Sequence, residues 1–236
     1  MTSSLESDVR KDVQTPFGTN AHGSSSAAVR QHRHSIVNQL TLNAEKSVDS
    51  CAGRANTILR SASWQKIDLK GIRQLEKNLE AHLHDRSALK MEGHSAQLQI
   101  EPRLYTAFAA IGSDCVKTVC EIGFNAGHSA LRWLWAAPEA NVVMFDLWAH
   151  ASNEPAEEFI RNHSNVEKAD ERLTIIKGDS TLVVRKFHAS NPTTKCNIIS
   201  VDGGHSFDVA LADIMNMRYL ADSEFHVLFV VGYSEP

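Results

Sequence analysis

The chain has 236 residues, 42% of them hydrophobic and 22% charged, with a formal net charge of −4 and a pI near 6.3. That balance excludes a nucleic-acid-binding surface of any size, and no apolar run reaches the roughly 20 residues a membrane span needs. The length accommodates one domain with a sizeable core plus an extension.

Residues 1–60 are rich in Ser, Asn, Thr, Gln and charge, with Gly23-Ser24-Ser25-Ser26 in their middle and few large apolar side chains. They are expected to form a disordered tail, with some helix near Ile36–Leu42. His32 and His34 form a His-x-His pair in a basic segment; metal binding is one reading and an ordinary solvated tail the favoured one. Glu6, Asp8 and Asp12 speak against a signal or transit peptide. The four cysteines, Cys51, Cys115, Cys120 and Cys196, show neither Cys-x-x-Cys nor zinc spacing. Cys120 and Cys196 sit at strands, where cysteine acts as a small hydrophobe, so a reducing, cytoplasmic setting is expected.

Residues 61–99 read as an amphipathic helical extension, because Ile72, Leu75, Leu79 and Leu83 recur three and four apart. A domain over 100–236 opens with a helix from Pro102 through Leu104, Phe108 and Ile111. Short apolar runs then alternate with helical patterns. Strands are expected at Lys117–Ile122, Asn141–Phe145, Leu173–Lys177, Asn197–Val201 and His226–Val231. Helices are expected at Ser129–Ala136, from Pro155 to about His163, at Leu182–His188 and at Phe207–Leu220. The pattern predicts an α/β fold with a mainly parallel sheet covered on both faces.

Polar clusters close four of these strands. After strand one, Glu121-Ile-Gly123-Phe-Asn125-Ala-Gly127-His-Ser129 gives a turn with two glycines leading into a helix. Such a turn brings backbone N–H groups close to a ligand at a helix N-terminus. The dinucleotide fingerprint Gly-x-Gly-x-x-Gly is absent, which disfavours an NAD-binding oxidoreductase. Asp146 ends strand two, 19 residues beyond Gly127, where a carboxylate can accept from ribose hydroxyls. A surface aspartate ending a strand is the equal alternative. Asp179 and Ser180 follow strand three and could meet an adenine amino group, or form a simple turn. Asp202-Gly203-Gly204-His205-Ser206 follows strand four. There Asp202 could bind a divalent cation and His205 could act as a general base or as a backbone-bonded turn histidine.

In this order the four clusters resemble the class I S-adenosylmethionine (SAM) methyltransferases, closest to the macrocin O-methyltransferase and cephalosporin hydroxylase-like group. Asn125 stands where the middle glycine of their first motif lies, a mild change because Asn tolerates left-handed backbone. The resemblance covers about Ile100 to Val231. It implies a Rossmann-like, doubly wound sheet, SAM as cofactor, and O-methyl transfer to a small-molecule hydroxyl. It places Glu121, Gly123 and Gly127 at the methionine end, with Asn125 and Ser129 also in the cofactor site, Asp146 at the ribose and Asp179-Ser180 at the adenine. Asp202 and His205 take the catalytic roles, Asp202 with Mg²⁺.

The family's acidic pair after strand five and its strands six and seven have no counterpart in the sequence. The chain therefore reads as a C-terminally truncated relative, with a Mg²⁺ site short of ligands. The alternative is a SAM-binding or interaction protein with impaired catalysis. Strand 226–231 becomes an exposed edge that invites pairing with a second copy.

Overall fold

The computed structural model describes residues 49–86 and 100–231. The helix expected near 36–42 and the His32/His34 pair lie outside them. In chain order the helices before the sheet are α1 (Cys51–Ser61), a 3-10 turn (Ser63–Lys66), α2 (Lys70–Arg86) and α3 (Ile100–Ala109). Then come β1 (Thr118–Ile122), α4 (His128–Ala136), β2 (Asn141–Asp146), α5 (Asn153–Asn162), a short α6 (Ala169–Arg172) and β3 (Leu173–Lys177). The chain continues through α7 (Ser180–Ser190), β4 (Ile198–Val201), α8 (Phe207–Met217) and β5 (Val227–Val230).

All five strands pair in parallel in the order β3-β2-β1-β4-β5. This is the expected Rossmann-like α/β sheet, and its winding reverses between β1 and β4. A ligand crevice belongs at the carboxyl ends there. Strand alternation divides the core. Val119 joins α2, α3 and α4 on one face, while Cys120 and Ile122 join α7 and α8 on the other. The apolar stripe of α2 is buried at Ile72, Leu79 and Leu83, with Leu75 packed against the same core. Arg132 on α4 is fully buried and pairs with Glu76 on α2, so the helical extension is tied to the sheet domain by charge as well as by burial. Short α6 escaped the sequence reading because one turn has no periodicity; it sets Arg172 to donate to the carbonyls of Leu134, Ala137 and Ala140.

Two expectations need correction. Residues 51–60, expected within the tail, belong to α1, capped by Ser50 and anchored by an Arg54–Asp114 ion pair. The cysteines are not free hydrophobes either: Cys51 bonds Cys115 and Cys120 bonds Cys196. Separations of 64 and 76 residues hide both pairs from any spacing rule, yet the fold brings their Cα atoms to 5.4 and 5.8 Å. The pairing removes the sequence argument for a reducing compartment. Among the described residues no helix is long and apolar enough to cross a membrane.

Closing loops of that length contributes about 4 kcal/mol each in the chain-entropy picture. The double substitution Cys51→Ser with Cys115→Ser should therefore lower the melting temperature by on the order of 10 °C. Calorimetry checks this, and an unchanged midpoint would show that α1 is not stapled to the domain.

Candidate active site

The loop after β1 is built from the backbone outward. Gly123 has φ +105°, and a Cβ there would lie 2.1 Å from the carbonyl oxygen of Asp202. Only glycine lets the ends of β1 and β4 come so close. Gly127 has φ +77° and caps α4, where a Cβ would meet Ile160 Cδ1 at 2.9 Å. Between them Asn125 takes φ +44°, the left-handed conformation that Asn tolerates.

Asp146 holds this loop to β2. Its Oδ2 accepts from the N–H groups of Phe124 (2.7 Å) and Asn125 (3.1 Å). Its Oδ1 accepts from the Trp148 N–H (2.6 Å) and from Asn153 Nδ2 (3.3 Å). Four donors use the four acceptor positions of a carboxylate. Asp146 lines the cavity, but its oxygens are committed to the loop and to the turn that follows β2. Asn153, missed in the sequence, adds a bond to the Asn125 carbonyl at 3.1 Å.

The carboxyl ends of β1 to β4 surround a cavity of about 570 Å³, within the range of small-molecule and cofactor sites. Gly123, Asn125 and Ser129 line it from the first loop, Asp179 and Ser180 from the third, and Asp202 and His205 from the fourth. Gly127 shapes the same loop without facing the cavity. Asp179 also caps α7, its Oδ1 accepting from Thr181 N (2.9 Å) and Oγ1 (2.7 Å).

Glu121 does not line the cavity. The period of two turns its side chain to the α3/α4 face, where it is fully buried and accepts from Trp133 Nε1 (2.9 Å) and Ser200 Oγ (3.0 Å). Burial, then repulsion from Asp202, pushes its carboxyl up to about 8 against the opposing hydrogen bonds, one of them from Ser129. Glu121 therefore sits behind the loop as a neutral acid at pH 7.

Asp202 stands at the mouth of β4. Burial raises its carboxyl to about 6, with Glu101 adding to the rise and His205 opposing it. Glu101, in the first turn of α3, lines the same cavity. Nothing in the sequence marked it, because an acid in a first helical turn is an ordinary dipole partner. His128, likewise missed, lines the cavity and reaches Glu80 of α2 at 3.3 Å; burial lowers its pKa against the pull of Glu80 and Glu76.

The residues do not fit the expected Mg²⁺. Among the described residues the only grouping of three ligand side chains close enough for an ion is Cys51, Asp114 and Cys115, whose sulfurs are already bonded to each other. Asp202 gathers no such set, and a lone carboxylate is a weak site.

A SAM-sized group is better served. The glycines let the loop backbone pack tightly against the end of β4 and against Ile160, and the N-terminus of α4 opens onto the cavity through His128 and Ser129. The lining carries Glu101, Asp146, Asp179 and Asp202 and, among the described residues, no Lys or Arg. An acidic, partly desolvated wall suits a sulfonium cation.

Among solved structures the chain is similar to the SAH-bound Podospora anserina methyltransferase PaMTH1, at 14% identity over 74% of this chain and 69% of that one, TM-score 0.47. It is also similar to CalS11, a TDP-rhamnose 3′-O-methyltransferase of calicheamicin biosynthesis, at 15% identity over 66% and 73%, TM-score 0.42. No curated protein matches it. Residues 120–229, the segment from mid-β1 to β5 that builds most of the cavity wall, match the family model described as a methyltransferase domain.

Proposed function

We propose that this chain binds SAM in the cavity at the ends of β1 to β4 and transfers its methyl group to the oxygen of a small-molecule hydroxyl. The observation that carries this reading is the glycine loop packed against the Asp202 carbonyl and latched by Asp146, within the segment that matches a methyltransferase domain. When bound, SAM supplies a methyl group already activated on sulfur, so placing the acceptor in line accounts for much of the rate.

The chain's own residues divide the remaining work. Gly123, Asn125 and Gly127 shape the loop whose backbone meets the methionine end, with Ser129 at the head of α4. Asp146 fixes that loop and the turn toward the ribose. Asp179 and Ser180 face the adenine end. Asp202 accepts the proton of the acceptor hydroxyl, since a carboxyl raised to about 6 is ionised at neutral pH yet more basic than an ordinary aspartate. His205 lies beside it and supports its charge. The acidic lining favours a neutral acceptor over a phosphate-bearing one.

Calorimetry with SAM, its demethylated product SAH and NAD tests the first step. Binding of NAD in place of SAM would overturn the reading. Asp202→Asn should lower kcat/KM for the acceptor by about 10²–10⁴ while SAH affinity stays within about threefold, a change below ~1 kcal/mol. It should also abolish the rise of rate with pH through 6, where wild-type Asp202 loses its proton. Full activity in that variant would remove Asp202 as the base. SAM binding with no transfer across a panel of neutral hydroxyl compounds would favour the catalytically impaired alternative, which the lack of a metal-ligand set at Asp202 recommends.

A further inference from the structure

Helix α8 covers the sheet with Ala210, Asp213 and Met217. Its other side carries Phe207, Leu211 and Met215, and Tyr219 continues the same four-residue step just past the helix end; all four are exposed. Residues four apart form one ridge along a helix. Alternation also places Leu228 and Val230 of β5 on the α8 face of the sheet, level with Ile199 and Val201, and these are exposed too. Among the described residues β5 has β4 on one edge and no strand on the other.

We propose that this face is where a second copy of the chain docks, α8 against α8 about a twofold axis at the level of Asp213. Area supports a stable contact. The six residues are between 36 and 73% exposed, which at about 200 Å² for a large side chain amounts to roughly 500–600 Å² of mostly apolar surface. A standard interface buries about 800 Å² per partner, a little over half of it apolar, or roughly 450 Å². Complete burial of these residues would reach that figure, and the face lies at the upper end of the roughly 300–600 Å² found for the largest apolar patch of a monomer, a patch that is often functional.

The order of residues supports self-association over a different partner. A twofold interface must complement itself. With the axis at residue 213, Phe207 of one copy faces Tyr219 of the other and Leu211 faces Met215, aromatic against aromatic and aliphatic against aliphatic. The antiparallel sense also sets the Asp208 end of one helix beside the Arg218 end of the other, both exposed, and opposes the two helix dipoles. None of the six residues lines the cavity.

Sedimentation velocity on the full chain over a dilution series should show a reversible species of twice 26.1 kDa. Leu211→Glu and, separately, Met215→Glu should raise the dissociation constant at least tenfold. Circular dichroism and melting should match the wild type, because both side chains lie outside the core. Under mild oxidation, a mixture of Leu211→Cys and Met215→Cys chains should form a mixed cross-linked dimer, while Leu211→Cys alone should not. A monomer at every concentration overturns the proposal, as does a dimer that Leu211→Glu leaves unchanged. A monomer in which the Met215→Cys thiol resists alkylation would mean that the chain covers the ridge itself, and overturns it equally.

Discussion

Gly123→Ala is expected to abolish SAH binding and to cost about 3–5 kcal/mol of stability. The added Cβ would sit 2.1 Å from the Asp202 carbonyl oxygen and 2.9 Å from its carbon. Both are backbone atoms of the neighbouring strand end, so no side-chain rotation relieves the overlap. The φ of +105° is itself unfavourable for alanine. The loop and the end of β4 must then separate, which displaces Asp202 and breaks the Phe124 and Asn125 bonds to Asp146. Urea denaturation reads the stability and calorimetric titration the affinity. Asn125→Gly is the control: at φ +44° glycine relieves a left-handed conformation worth about 1 kcal/mol, so stability should stay level or rise slightly. Wild-type affinity in the Gly123→Ala chain would show that the two strand ends do not form one wall.

How much of this was readable in the sequence depends on the range of the interaction involved. Period and turn residues are local, and the five strands and most helices lie within two or three residues of where apolar runs and glycines put them. Position at a strand end is also local, which is why Asp146, Asp179 and Asp202 come together around one cavity. What the sequence hid is non-local or directional. The two disulfides join residues more than 60 positions apart. Glu101 enters the site from α3, an element that precedes the βα alternation. Glu121 ends a strand as expected, but the pleat turns it away from the loop it introduces, and its donor Trp133 reads as one more apolar helix residue. Asp146 shows the subtlest miss: its place was evident, while its saturation by four N–H donors appears only when the Gly123–Gly127 loop is folded over it.

Glu121→Gln should remove most of the pH dependence of stability between about pH 5 and pH 8, and should leave the variant at least as stable as the wild type at pH 8. The folded chain keeps the Glu121 proton up to about 8, whereas the unfolded chain releases it near 4.5. Between those values the folded state holds more protons than the unfolded one, so unfolding becomes easier as pH rises. The contribution is complete below the unfolded pKa and is lost through the folded one. Its size is a few kcal/mol: each tenfold difference in proton affinity between the two states is worth about 1.4 kcal/mol, less the relaxation that a buried site allows. Asp202, raised from 3.8 to about 6, adds a smaller total of the same sign over a narrower window at lower pH, and this should survive in the variant. Glutamine keeps an acceptor for Trp133 or Ser200 and cannot ionise, so thermal melts of the two chains should converge near pH 5 and diverge above pH 7. If the variant is instead several kcal/mol weaker at every pH, Glu121 is an ionised carboxylate that its donors require. A neutral Glu121 also has a consequence for the site. It leaves Asp202 without a second full negative charge behind it, so Asp202 can ionise near pH 6, as the proposed proton acceptor must. The activity profile of Glu121→Gln should, on the proposed function, keep its acidic limb near 6, and movement of that limb to clearly lower pH, with the rate already at its plateau by about pH 5, would mean that Glu121 carries charge in the folded chain.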